Sequence, residues 1–209
     1  MLTTMSLREH KKRQLRATIA DTALRLFVAD GFDAVPVVQV AAAAEVSKRT
    51  LFKYFPTKED LVLHRFADHV DDAARIVRDR PQGETPLTAL RFAFRTGLDH
   101  HEPTTGLCAD PAVVACYRLI LATPALATRL THYLTAGEQS LTEALTLDGS
   151  RELDARVAAC AISAVHRHLS ESNWRAIATG STAVERHPTA VAEADRAFTL
   201  LETGFGAVI

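Results

Sequence analysis

The sequence predicts an all-α protein, with an N-terminal three-helix unit containing a helix-turn-helix and a larger C-terminal helical body, about nine helices in all. Three observations carry this. Ala, Leu and Arg, all good helix formers, are abundant among the 209 residues. Apolar residues recur at three- and four-residue spacing. No stretch sustains the alternation of a half-buried strand. Apolar residues make up 47% of the chain, enough to bury a core without covalent staples.

The first helix is expected over 7–30, with Ile19, Ala23, Leu26 and Phe27 along one face and Gly31 closing it. A short helix follows Pro36, over 37–44. The next starts after Ser47, a good N-cap, and ends at Phe55-Pro56, because the residue before proline avoids the helical region. Thr57 then opens one long helix to about Arg78. Its Thr57, Lys58, Glu59 and Asp60 form a near capping box, with acids where the helix dipole favours them. After the loop PQGETP, Thr85-Pro86, Asp110-Pro111 and Thr123-Pro124 each place a capping residue before a first-turn proline, and His187-Pro188 repeats the device more weakly. Helices are therefore expected over 86–101, 111–122, 124–146, 151–179 and 189–206. The composition shifts near Asp79, and no internal repeat or low-complexity linker occurs.

Cys108, Cys116 and Cys160 form no CxxC pair, which argues for a reducing cytoplasm and against a disulfide framework or a zinc site. The opening MLTTMSLREHKKRQ lacks the apolar run of a signal peptide. No run approaches the roughly 18 uninterrupted apolar residues of a membrane span. A cytoplasmic chain with no membrane partner is expected.

The net charge of −1 hides an asymmetry. Residues 7–58 hold ten Lys/Arg and five Asp/Glu, a balance of +5, so the remainder sums to −6. A basic N-terminal quarter on an acidic body points to an anionic partner at one end. Within it, residues 37–55 read as two short helices joined by a tight turn. Val37, Val40 and Ala41 face inward from the first helix, and Val46, Leu51 and Phe55 from the region after it. This is the layout in which the second helix enters the DNA major groove. Lys48 and Arg49 fall at the exposed N-terminal turn, where side chains reach base edges. Thr50, Lys53 and Tyr54 lie where they can meet backbone phosphate. No acid occurs from Val46 to Lys58, and Lys58 opens a helix whose N-terminal amides offer a further anion site.

Residues 23–62, ALRLFVADGFDAVPVVQVAAAAEVSKRTLFKYFPTKEDLV, closely resemble the TetR family of transcriptional regulators. The run combines the LF…GF ending of the first helix, the AxxAxVS turn, the T-L-F-x-Y-F recognition helix and the P-T-K-E-x-L continuation. YRLILATPAL and SNWRAI more weakly resemble the branch that includes mycofactocin-system regulators. The resemblance implies a DNA-binding domain over 7–56 and an effector-binding and dimerisation domain over 57–209. It puts base reading on Lys48 and Arg49, and phosphate contact on Thr50, Tyr54 and Lys58, with Lys53 suited to either. Phe52 stands where the family has a tyrosine and offers apolar contact alone. Two positions depart from the pattern. Pro36 replaces a capping threonine. Glu45 replaces a glycine and would cost about 1–2 kcal/mol in a left-handed turn.

The resemblance further implies a homodimer built by the last two long helices, reading a palindromic double-stranded operator. Val157, Ala161, Ala164, Phe198, Leu201 and Phe205 suit that surface, or equally the core. An effector, an unknown small molecule, is expected inside the body, with Phe94, His100, Tyr117, Arg118, His166 and Trp174 as candidate contacts. The helix from Thr57 to Arg78 is the expected lever between pocket and DNA.

No enzyme is expected: the chain has no nucleophile signature, no glycine-rich phosphate loop and no G-x-S-x-G elbow. No cofactor is expected. No metal is expected either, since His64/His69 and His166/His168 lack ligand spacing and no HExxH occurs. The chain thus reads as a ligand-responsive DNA-binding regulator, a repressor released by its effector. The alternative is an effector- or partner-binding helical protein whose DNA-binding unit has degenerated, for which Pro36 and Glu45 are the support.

Overall fold

The structure, a computed structural model, describes residues 7–204. Among these residues it contains ten α-helices and one 3-10 turn and no strand. The helices are α1 (Leu7–Asp30), α2 (Val37–Ala43), α3 (Lys48–Tyr54), α4 (Asp60–Asp68), α5 (Asp72–Asp79), α6 (Pro86–Asp99), α7 (Pro111–Ala122), α8 (Pro124–Leu147), α9 (Glu152–Ala178) and α10 (Ala183–Thr203). The 3-10 turn spans Pro103–Thr105, between α6 and α7. No single helix among the described residues is long and apolar enough to cross a membrane.

Local chemistry sets most of these bounds. Gly31 closes α1 at φ +91°, donating its N–H to Phe27 O at 3.0 Å. The three capping-residue–proline pairs start helices as expected. The Thr85 hydroxyl accepts from Thr88 N at 3.2 Å and the Asp110 carboxylate from Ala112 N at 2.7 Å, while α8 begins at Pro124.

Two expectations fail. The single helix over 57–78 is two, interrupted at residues 69–71. There Asp71 accepts from the Ser140 hydroxyl at 2.7 Å, and Asp72 takes His69 Nδ1 and Arg75 Nη2, both at 2.7 Å. The carbonyl of Val70 turns toward Gly137, where a Cβ would lie 3.2 Å from it. The short acids thus hold a turn rather than decorate a helix. The last helix, expected from His187-Pro188, begins earlier, at Ala183. Thr182 and Glu185 form a capping box, and Pro188, the sixth residue, lies inside the helix, where it has no N–H to give the carbonyl of Val184.

The chain forms two compact units: residues up to Asp68 with Ala115–Leu130, and His69–Val114 with residues from Thr131 onward. In the first unit Ile19, Phe27, Leu51, Phe55, Leu61, Leu63, Ile120 and Leu126 are fully buried. Val40 and Ala41 are buried with them, whereas Leu26, Val37 and Val46 are only half-buried. In the second unit α6, α9 and α10 supply the centre through Leu90, Leu98, Ala155, Ala159, Ile162 and Phe198. The 3-10 turn packs tightly on α9. A Cβ on Gly106 would come 2.0 Å from Ser170 O, and buried Asn173 donates to Thr105 O at 2.9 Å.

α2 ends in a Schellman motif. Val46 N reaches Ala41 O at 2.9 Å and Glu45 N reaches Ala42 O at 3.1 Å, with Glu45 in the left-handed region at φ +54°. The same closure recurs after α6, with His101 at φ +52°, and after α8 and α9 with Gly149 and Gly180. A non-glycine left-handed residue costs about 1–2 kcal/mol. One buried leucine or phenylalanine contributes about 1.5–3 kcal/mol, so the first unit's core holds the turn despite the strain. Replacing Glu45 by glycine should raise stability by about 0.5–1 kcal/mol, the relieved strain less the extra freedom of glycine in the unfolded chain. Chemical denaturation of E45G against wild type measures this, and a destabilised variant contradicts it.

Candidate nucleic-acid interface

α3 is aimed by both its ends. At the start, the Ser47 side chain accepts from Thr50 N at 3.0 Å. At the finish, Leu51 and Phe55 anchor the inward face, at 0% and 1% exposure. The outward face therefore carries Lys48, Arg49, Phe52 and Lys53, all exposed. The Lys48 ammonium stands 5.8 Å from the Phe52 ring centroid, so the aromatic supports the cation one turn earlier. Thr50 is half-buried and its hydroxyl lies 2.8 Å from Ser47 Oγ; Tyr54 is half-buried at the helix end. Pro36 stands at the N-cap of α2 with no side-chain cap bond, and its carbonyl accepts from Gln39 N at 3.0 Å.

Lys58 points inward. It donates to Phe32 O at 2.5 Å, and its ammonium lies 4.6 Å and 5.5 Å from the ring centroids of Phe32 and Phe27. Asp60 follows, 5% exposed. It accepts from Thr57 N at 3.1 Å while Asp60 N returns to the Thr57 hydroxyl at 3.2 Å. Arg129 Nε and Nη2 reach the same carboxylate at 3.1 Å. The anion at this helix start is the protein's own. Sequence reading missed the Asp60–Arg129 pair, whose partners are 69 residues apart with no shared motif.

The candidate effector residues are dispersed. Phe94 and His166 meet in the second unit, ring centroids 5.2 Å apart, with Phe198 5.6 Å from His166. His166 Nε2 is buried without a hydrogen-bond partner among the described residues, and burial pushes its imidazole down to about 4. Trp174 is buried on α9 and His100 is exposed at the end of α6, both in that unit. Tyr117, edge-on to Phe66 at 5.8 Å, and exposed Arg118 belong to the first unit. An open cleft of about 270 Å³ is lined by Asp99, His101, Val184 and His187, none of them a sequence candidate, with His187 Nε2 2.9 Å from Asp99 Oδ1. Of the surface candidates on the last helices, Phe198 is core, Ala161 and Leu201 are half-buried, Val157 and Ala164 are exposed, and Phe205 lies outside the described residues. No three His, Cys, Asp or Glu side chains among the described residues are grouped as metal ligands.

A capped, outward-facing cationic helix behind a tight turn makes the first unit a helix-turn-helix module. Residues 19–64, within the first unit, match the family described as bacterial regulatory proteins, tetR family. It is 35% identical over 134 residues to the HTH-type transcriptional regulator TcmR of Streptomyces glaucescens, covering 64% of this chain and 58% of that protein. It is 35% identical over 81 residues to a putative mycofactocin biosynthesis transcriptional regulator, MftR, of Mycobacterium tuberculosis, covering 37% and 41%. The matches thus span less than two thirds of these relatives' own lengths. In fold the chain is similar to the transcriptional regulator FadR from Bacillus subtilis in complex with stearoyl-CoA, with a TM-score of 0.55, 18% identity, and coverage of 90% of this chain and 98% of that one.

The buried imidazole has a measurable signature. His166 stays neutral in the fold, whereas the unfolded chain protonates it near its ordinary value of 6.5. Its contribution is complete above about pH 6.5 and is lost as pH falls toward 4. Between pH 7 and pH 5, wild type should lose on the order of 2 kcal/mol more than H166F. Denaturant titrations at the two pH values measure the difference, and parallel losses exclude a buried neutral ring.

Proposed function

We propose that the protein is a ligand-responsive, sequence-specific DNA-binding transcriptional repressor that acts as a homodimer. The exposed row Lys48, Arg49 and Lys53 on the capped recognition helix, in a stretch free of acids, carries this reading. Lys48 and Arg49 read base edges, Lys53 and Tyr54 meet phosphate, and Phe52 packs on the sugar or a thymine methyl. Thr50 and Lys58 act chiefly by holding the helix, since their polar atoms already serve Ser47 and Phe32. Residues 7–56 form the reading domain and 57–209 the effector and dimer domain. The exposed Val157 and Ala164 of α9 fit a self-association surface.

A bound dimer occludes its operator. A small molecule in the body releases it by favouring a state in which the two recognition helices no longer match successive major grooves, about 34–36 Å apart. The fold likeness to a regulator in complex with stearoyl-CoA supports a small-molecule effector without identifying it. The protein works in the cytoplasm as a regulator rather than an enzyme. The competing reading, a degenerate DNA-binding unit, draws on the uncapped Pro36 and the strained Glu45.

The test is a duplex selected by the protein from random double-stranded DNA. K48A/R49A should weaken binding to it by about 30-fold or more, since each base contact is worth about 1–3 kcal/mol. Helicity and dimer mass should be unchanged. Failure of wild type to enrich any sequence establishes the degenerate reading, and undiminished binding by the double variant removes these residues from recognition.

A further inference from the structure

α1 outruns its own core. Its inward stripe, read backward from Phe27 through Ala23 and Ile19, is buried. At one-turn spacing the same stripe then becomes Arg16, Lys12 and Arg8. From Leu7 to Gln14 every residue is exposed, so about two turns of helix, at 3.6 residues each, stand in water with nothing apolar to bury. Residues 7–16 hold five cations, Arg8, Lys11, Lys12, Arg13 and Arg16, against one acid, Glu9. Cations in the first turns oppose the helix dipole, so local helix stability does not account for them. Among the described residues, no ionic partner faces Arg8, Lys11 or Lys12.

Position identifies the partner. Arg16 is already engaged, forked onto Asp68 at 2.8 and 3.0 Å. Its guanidinium sits 5.7 Å from the ring centroid of Phe55, the C-cap residue of α3. The exposed stretch therefore starts beside the end of the recognition helix. Arg8 lies eight residues earlier, about 12 Å along the axis at 1.5 Å per residue. Each DNA strand carries a charge about every 3.4 Å of helix axis, so that length is comparable with on the order of three or four phosphates of one strand. A membrane surface fits poorly, because Leu7 and Leu15 are the only apolar residues of 7–16.

We propose that the first turns of α1 form a second, sequence-independent DNA contact, in which Arg8, Lys11 and Lys12 grip phosphates just outside each operator half-site. The inference rests on the DNA-binding reading under Proposed function and adds a flank that the recognition helix does not touch.

The experiment uses the full chain and the selected duplex in two lengths, one ending flush with the half-sites and one extended by ten arbitrary base pairs on each side. Wild type should bind the long duplex tighter and with a steeper dependence of log affinity on log salt. R8A/K11A/K12A should bind both lengths alike, its salt slope on the long duplex shallower by about 0.9 per lost phosphate contact. R8K/K11R/K12R should restore the difference. An unchanged slope in the alanine variant overturns the inference, as does an equal loss on both lengths or transfer of binding to anionic vesicles. If wild type enriches no sequence at all, it is the DNA-binding reading that fails, a result distinct from these.

Discussion

Asp60 is where the first unit is tied together. A buried carboxylate costs several kcal/mol unless donors surround it. Here the Thr57 amide and two nitrogens of Arg129 do so. That single group starts α4, whose next three residues, Leu61, Val62 and Leu63, are buried, and holds it against the first turns of α8. Two residues upstream, Lys58 pins the Phe32 carbonyl and covers two aromatic rings. The chain between Phe55 and Asp60 is therefore clamped on both sides. Since α3 ends at that clamp, its tilt follows from charges that never leave the protein.

The two departures from the family pattern behave differently. Pro36 leaves the start of α2 without a side-chain cap, but its extended backbone and its carbonyl still begin the helix. Glu45 adopts the left-handed geometry that glycine would take. The turn is thus preserved in shape and weakened in energy. The strain therefore bears on stability before it bears on the geometry of the turn.

Most of the fold was legible because its signals are local. Ser47, Gly31 and the three capping-residue–proline pairs act within one helical turn, and the period of buried residues in α1 is unbroken from Ile19 to Phe27. The break at residues 69–71 was not legible, because it depends on Ser140 and Gly137, far away in the chain. The early start of α10 was legible in Thr182 and Glu185, but the conspicuous Pro188 drew the boundary to itself. At the site, exposure of Lys48, Arg49 and Lys53 followed from helical phase. The inward turn of Lys58 did not, because a lysine beside two phenylalanines gains cation–π attraction that sequence spacing does not reveal.

The first unit is discontinuous along the chain: its core needs Ile120 and Leu126, and its buried acid needs Arg129. During synthesis the residues through Asp68 emerge well before those partners. At about 5–20 residues per second, the gap to Leu130 lasts on the order of 3–12 seconds. Through that interval the nascent recognition helix waits on an unfinished scaffold, its uncompensated Asp60 in water. Completion of the first unit therefore arrives late in translation, although its α3 is made early.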